Sequence, residues 1–398
     1  MSHRTRIRPS LAAWTNGSAV LSTDYDSLDA AQFSSIDGDA GGIWIPSSKI
    51  TISGANGLDV LAPFRAMSSF FSARMVATNW PERGIGPGSI AAVNSDFAVA
   101  WLPTTGGTSS SLWGILNTSK TLYVSADALS WNAILTLPNC STTKPEMAAG
   151  MLDGVPALMT NGGVGANFYT IVSGSVSTLR VGGPAGTSAN VPCYAPSLHL
   201  WVFVGTQAFS TGDTTAAMSA WSSAATLPAT WTSNSGGCKR LVWNGSLFVA
   251  LPVSSYNKCL TSPDGNNWTE RTLPAAGLWT GVAYSATDGL WMAVASNLGN
   301  GAVSSDGLTW VAPTGTLYTV GNDLACLNSL WIMPTTTANY GGLAWSTDKG
   351  ASWTRGPSVG DHSVATAGWK RILAGDNRFM VAHETGSNIE VALSLRSS

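Results

Sequence analysis

The chain has 398 residues, a formal net charge of −2 and only 11% charged residues, against roughly a quarter in an ordinary soluble domain. Gly (43), Trp (18) and abundant Ser and Thr take their place, which excludes a helical protein rich in Lys, Glu and Arg. A hydrophobic content of 44% excludes disorder, and the near-neutral charge argues against a nucleic-acid-binding surface.

The N-terminus, Met1-Ser2-His3-Arg4-Thr5-Arg6-Ile7-Arg8, is basic but is not followed by the apolar stretch of a secretory signal. Its arginines suit docking on an acidic partner surface; a solvated tail is the competing reading. Residues 36–46 and 49–60 place short apolar runs between Gly and Asn turns, which predicts a small β-rich segment over 1–62. Asp37-Gly38-Asp39 opens like a calcium loop but lacks the Glu that completes one, and reads as a turn. No run of 18 apolar residues occurs, so no membrane-spanning helix is expected.

From about residue 83 one pattern recurs: an apolar hairpin, then Ser-x-Asp-Gly-x-x-Trp, then Thr-Leu-Pro. The clearest copy runs from Leu241–Ala250, with Asn244-Gly245 as the hairpin turn, to Ser262, Asp264, Gly265 and Trp268, with Thr272-Leu273-Pro274 behind. Later copies carry Ser304, Asp306, Gly307 and Trp310, then Ser346, Asp348, Gly350 and Trp353. A degraded earlier copy keeps Ser125, Asp127 and Trp131, and another keeps Trp221 with Thr226-Leu227-Pro228. The Trp positions 131, 221, 268, 310 and 353 step by 47, 42 and 43 at the end, and the initial gap of 90 is two steps of 45. A copy without Trp therefore falls near Val172–Val181, and one more step reaches the end of the chain. That spacing is the period of a four-stranded propeller blade, about 40–45 residues, and it counts seven.

Seven hairpin runs support the same number: Phe97–Trp101, Val155–Met159, Trp201–Val204, Phe248–Leu251, Trp291–Val294, Trp331–Met333 and Phe379–Ala382. The expected fold is an all-β, seven-bladed propeller over residues 63–398 with a small N-terminal β-rich anchor over 1–62. Ile389–Leu395 reads as the third strand of the last blade, so a strand from about 67–80 is expected to close the ring and cover the open edge.

The Ser-x-Asp motif resembles the Asp-box repeats of sialidase-like propellers, whose pattern is Ser-x-Asp-x-Gly-x-x-Trp. Ser346–Trp353 matches it in full, and two other copies match a form one residue shorter. The resemblance implies a structural motif away from the catalytic face: the carboxylate takes backbone N–H bonds of a tight turn, and the Trp folds between blades. Sialidase chemistry itself needs three arginines on a carboxylate, a Tyr nucleophile and acidic partners. Arg83, Arg180, Arg240, Arg271, Arg355, Arg371, Arg378 and Arg396 lack the family's Arg-Ile-Pro setting, and Glu82, Glu146, Glu270, Glu384 and Glu390 form no obvious pair within a blade. Gly356-Pro357-Ser358-Val359-Gly360 lacks a nucleophile elbow's strand–turn–helix context, and Gly162-Gly163-Val164-Gly165 lacks that of a phosphate loop. His3, His199, His362 and His383 have no ligand spacing. The scattered Cys140, Cys193, Cys238, Cys259 and Cys326 form no CxxC pair and read as buried thiols. No catalytic residue, cofactor or metal site is expected.

The N-terminal stretch looks like the N-terminal segments of phage and prophage tail or virion proteins. That resemblance implies a non-enzymatic particle component, docked on other virion or tail proteins through 1–62 and displaying the propeller to a host glycan or protein. Loop aromatics, among them Trp113, Tyr256 and Tyr340, are candidate contacts. The alternatives are an extracellular glycan-binding or glycan-cleaving propeller, and a propeller that assists photosystem assembly.

Overall fold

The computed structural model describes residues 50–53, 57–60, 82–88, 97–102, 112–181, 190–296, 301–315, 321–335, 342–355, 369–384 and 388–394, apart from 129, 138–139, 142–143, 163–166, 173–174, 215, 218–220 and 223–224. The chain divides into two units, Met1–Arg74 and Met75–Ser398, a boundary later than the expected residue 62. Within the first, Ile50–Ser53 pairs antiparallel with Gly57–Val60 in a hairpin, where the sequence places alternating runs around Asn56-Gly57.

The second unit contains seven antiparallel sheets in chain order. Blade 1 comprises Ala98–Leu102, Leu112–Leu116, Thr121–Ser125 and Asn132–Thr136. Blade 2 comprises Met147–Leu152, Val155–Thr160, Asn167–Val172 and Ser175–Val181. Among the described residues blade 3 has three strands, Val191–Ala195, Leu200–Val204 and Ala208–Gly212, with a bridge from Ala208 to Ala225 at its edge. Blade 4 comprises Cys238–Trp243, Phe248–Pro252, Tyr256–Ser262 and Thr269–Gly277. Blade 5 has Trp279–Ser285, Leu290–Ala295 and Gly301–Ser304, capped by a Val303–Val311 bridge. Blade 6 comprises Ala325–Leu327, Leu330–Pro334, Leu343–Ser346 and Thr354–Arg355. Blade 7 comprises Arg371–Gly375, Arg378–Glu384, Asn388–Leu393 and, from the N-terminal side, Glu82–Gly88.

The first strands of successive blades lie side by side, and that of blade 7 returns to that of blade 1. This closed circuit makes the unit a seven-bladed β-propeller, with first strands innermost. Second strands such as Phe248–Pro252 and Leu330–Pro334 are buried along their whole length, because a neighbouring blade covers each face. One buried aromatic opens this strand in six blades: Trp113, Trp201, Phe248, Trp291, Trp331 and Phe379, with Pro156 in blade 2. Blades meet through apolar clusters, and Met380 and Val391 of blade 7 pack with Trp113 and Ile115 of blade 1 across the closure.

Three of the hairpin turns that precede the second strands are two residues long with both residues at positive φ: Asp153-Gly154, Asn328-Ser329 and Asp376-Asn377. Such turns match the strand twist, and Asn and Asp tolerate the left-handed region. Two expectations are corrected. The run Phe97–Trp101 belongs to the first strand of blade 1, not the second; the second is Leu112–Leu116, because a long connection through 103–111 replaces the short turn of the other copies. The closing strand is Glu82–Gly88, pairing Val391 with Gly84 and Leu393 with Glu82; the expected 67–80 lies outside the described residues. Its sequence, Glu-Arg-Gly-Ile-Gly-Pro-Gly, reads as a turn. As the outer strand of its sheet, with the register shifting between Asn388 and Glu390 opposite it, it nevertheless tolerates Pro87.

Candidate functional site

The recurring motif forms the turn that follows the third strand. In blade 4, Asp264 Oδ1 accepts from the backbone N–H of Asn266 (2.9 Å) and Asn267 (2.8 Å) and from Ser262 Oγ (3.1 Å), while Ser262 Oγ accepts from Gly265 N (2.9 Å). In blade 5, Asp306 Oδ1 accepts from Leu308 N and Thr309 N, both at 2.8 Å, and Ser304 Oγ from Gly307 N at 2.8 Å. Trp268 and Trp310 each donate their indole N–H to the carbonyl of the turn Gly at 2.9 Å. Blade 1 keeps the pattern through Ser125, Asp127, Ser130 and Trp131, with Ala128 at φ 58° in the glycine position. The longer copy of blade 6 inserts Lys349. Ser346 Oγ still takes Gly350 N (3.0 Å) and Asp348 Oδ1 takes Ser352 N (2.8 Å), but the indole bond of Trp353 is not formed. Burial opposes the charge on Asp264, yet the N–H groups of Asn267 and Asn266 outweigh it and hold the carboxyl at about 2. The backbone N–H groups of Thr309 and Leu308 lower Asp306 as well. For Asp348 burial again opposes ionisation, and the hydroxyl and N–H of Ser352 outweigh it.

These turns also join blades. A Cβ on Gly265 would stand 2.7 Å from Val202 of blade 3, and one on Gly307 would stand 2.5 Å from Leu247 ahead of the second strand of blade 4. A Cβ on Gly350 would stand 2.6 Å from Met292 of blade 5. Trp268, Trp310 and Trp353 are buried in the clusters shared with the preceding blade. The motif residues are therefore spread one turn per blade and converge on no common point.

Convergence occurs at the axis, where the innermost strands begin. Arg371, the first residue of blade 7, donates from Nε to the carbonyl of Phe97 (3.0 Å) and from Nη2 to Glu146 Oε1 (2.9 Å). Arg240 of blade 4 reaches the same Glu146 oxygen through Nη1 (3.4 Å) and Asp323 Oδ1 through Nε (3.2 Å). Asp323 also accepts from Leu324 N (3.0 Å) and Ile372 N (3.4 Å). Side-chain exposures run from 6% for Arg371 to 16% for Glu146, so these charges are largely withdrawn from water. Two guanidinium groups and two carboxylates neutralise one another across the starts of blades 2, 4, 6 and 7, with blade 1 joined through Phe97. Glycoside hydrolysis uses one protonated and one ionised carboxyl flanking the bond to be cleaved. Here both carboxylates face guanidinium groups, and the arrangement ties blades together. The sequence alone points to Glu146, Arg240 and Arg371 separately and not to Asp323; the usable signal is the charge set at or just before the start of the inner strand in several repeats.

Other candidates separate. Trp113 is buried, edge-on to Trp101 at 4.5 Å, and is not a surface contact. Tyr256 is half-buried with its hydroxyl on Glu270 (3.2 Å), which Thr230 also contacts (2.7 Å). Tyr340, His3, His362, Asp37–Asp39 and Gly356–Gly360 lie outside the described residues. His199 Nδ1 is 3.0 Å from Asp213, which also accepts from the Tyr194 hydroxyl (2.7 Å). All five cysteines are free thiols, with Cys238 and Cys259 on the first and third strands of blade 4. Burial pushes Cys140, Cys193, Cys259 and Cys326 up to about 12. Among the described residues no group of three or more His, Cys, Asp or Glu could hold a metal ion, and no helix is long and apolar enough to cross a membrane.

No family model and no curated relative matches the chain. Solved structures do. The extracellular domain of the putative one-component system BT4673 from B. thetaiotaomicron aligns with TM-score 0.55 at 11% identity over 79% of this chain, which spans 40% of that chain's length. A catalytically inactive virginiamycin B lyase from Staphylococcus aureus with quinupristin aligns with TM-score 0.55 at 11% identity, over 79% of this chain and 100% of that one. A streptogramin B lyase aligns with TM-score 0.56 at 10% identity, over 79% and 98%. At such identities the likeness establishes the fold, a β-propeller shared by proteins of unlike activity, and nothing of the chemistry.

Proposed function

We propose that the chain is a non-enzymatic structural protein of a virion or phage-tail-like particle, which docks on other particle proteins through residues 1–62 and displays its propeller for attachment to a surface receptor or glycan. The observation that carries this reading is the neutralised network at the axis. Charged groups are scarce in this chain, and those that meet there are spent on holding blades 2, 4, 6 and 7 together. The Ser/Asp turns, which we assign to the Asp-box type, serve the same end in blades 1, 4, 5 and 6: carboxylates bound by backbone N–H groups are committed to turn geometry. A rigid platform with variable loops is what attachment needs. Residues 1–62 supply the anchor in this reading, and the particle surface is the site of action.

The alternative, an extracellular glycan-binding or glycan-cleaving propeller, draws on the shared contact of Glu146 and Asp323 with Arg240 at the axis. Fractionation separates the two. A particle component sediments with purified particles and is released by deletion of residues 1–62. Recovery as a free monomer that hydrolyses glycans would refute the proposal.

A further inference from the structure

Strand direction sorts the charges of the propeller onto two opposite faces. First and third strands begin on one face, and the turns after first and third strands lie on the other. Lys144 and Lys370 stand just ahead of the first strands of blades 2 and 7, and Lys239 is second in the first strand of blade 4. Lys120 and Lys258 stand at the beginnings of the third strands of blades 1 and 4. All five are therefore on the face where Arg240 and Arg371 are cancelled by Glu146 and Asp323. The same rule places Glu384, at the end of the second strand of blade 7, and Glu390, early in its third, on this face too, whereas Glu270, second in a fourth strand and bonded by Thr230 and Tyr256, starts from the other side.

The opposite face carries Asp153, Asp213, Asp264, Asp288, Asp306 and Asp376 on its turns, with Arg271, Lys349 and Arg378 as the nearest basic side chains described. Contacts between blades 2 and 3, 3 and 4, and 5 and 6 agree with this mounting. Asp153 N donates to Asp213 O (2.8 Å), Ser197 Oγ to Gly245 O (3.2 Å) and Ser329 Oγ to Asp288 Oδ1 (2.9 Å), each joining turns of adjacent blades on the acidic side. A net charge of −2 thus conceals a propeller whose described charges are polarised along its axis.

We propose that the face carrying Lys120, Lys144, Lys239, Lys258 and Lys370 is the docking surface, and that its ligand is an anionic glycan, a polymer with carboxylate or sulfate groups set apart along a hydroxyl-rich chain. This rests on the attachment reading above and names its ligand class. Ammonium groups on blades 1, 2, 4 and 7 spread cationic points around the ring, to meet a polymer that carries its charges on successive sugars. The dense phosphates of a nucleic acid call for a far more basic surface. The acidic face turns away from the polymer, so the field both attracts and orients.

The test uses the full chain against dextran sulfate, alginate and neutral dextran, with binding measured as a function of salt. The charged polymers are expected to bind at least about tenfold more tightly than dextran at low ionic strength, and to weaken as salt screens the face. The triple variant Lys144→Glu, Lys239→Glu, Lys370→Glu is expected to lose about tenfold or more. The milder Lys→Gln triple should fall between, and Asp153→Asn with Asp376→Asn on the other face should change little. Thermal melts confirm that each variant is folded. Equal binding of dextran and dextran sulfate, no binding of either charged polymer, indifference to the lysine variants, or equal affinity for duplex DNA would overturn the inference. Particle co-sedimentation reads the attachment proposal separately, so either can fail while the other stands.

Discussion

Replacing Arg371 by Ala removes a side chain only 6% exposed that bonds Phe97 O at 3.0 Å and Glu146 Oε1 at 2.9 Å. Glu146 is left with Arg240 at 3.4 Å, and the Phe97 carbonyl loses this guanidinium. Breaking a buried pair from one side costs about 3–5 kcal/mol. The low end, about 3 kcal/mol, applies here because Glu146 keeps a second cation. For a unit the size of Met75–Ser398 the unfolding entropy is about 0.7 kcal/mol/K, so the melting temperature should fall by about 4 °C. Calorimetry of the full chain reads this directly. A double-mutant cycle with Glu146→Gln should return a coupling of about 1–3 kcal/mol, since the two side chains share one network. A fall of less than about 1 °C, or a coupling near zero, would refute the idea that the axial charges bind the blades together.

Gly307→Ala combines a left-handed φ of 74° with a Cβ 2.5 Å from Leu247 and 3.0 Å from Trp291, and should cost about 2–4 kcal/mol by denaturant titration. Gly245→Ala, at φ 104° with nothing within 4 Å of its Cβ, should cost only the backbone part, about 1–2 kcal/mol. Equal losses would show that the turn does not lock neighbouring blades. The depressed carboxyls of Asp264, Asp306 and Asp348 contribute stability that is present above the usual Asp range near 4 and lost as pH falls through their lowered values, which for Asp264 is about 2. Asp264→Asn should therefore flatten the stability–pH curve in that interval and leave its shape near neutral pH unchanged. Native thiol titration should be slow at pH 8, with full reactivity only after unfolding, because burial holds Cys140, Cys193, Cys259 and Cys326 near 12. Removal of residues 1–88 should expose the edge of Asn388–Leu393 and cause aggregation, whereas removal of 1–62 leaves Glu82–Gly88 in place and should not.

Much of the fold was legible because the repeat writes it several times over. Trp268, Trp310 and Trp353 give the period, and turns such as Asn328-Ser329 and Asp376-Asn377 mark each hairpin. What misled was local composition. Glu82–Gly88 carries three glycines and a proline, and only its pairing with Asn388–Leu393 makes it a strand. Blade 1 was read out of register because its first and second strands are joined by 103–111 in place of a two-residue turn. The helix Ala229–Asn234 went unseen for a related reason: Ala-Thr-Trp-Thr-Ser-Asn has little helical character, and buried Trp231, donating to Gly205 O at 3.0 Å, fixes it. The axial network was hidden by distance, since Glu146 and Arg371 lie 225 residues apart and meet only when the ring closes.

Whether the propeller holds the proposed ligand without altering it can be read in one measurement. An anionic oligosaccharide of defined length is captured on the full chain, released by high salt and weighed by mass spectrometry. Retention followed by recovery at unchanged mass is the predicted result. Shortened products, abolished by Glu146→Gln or Asp323→Asn in a variant that still folds, would contradict the non-enzymatic reading and turn the axial carboxylates from ties between blades into a catalytic pair.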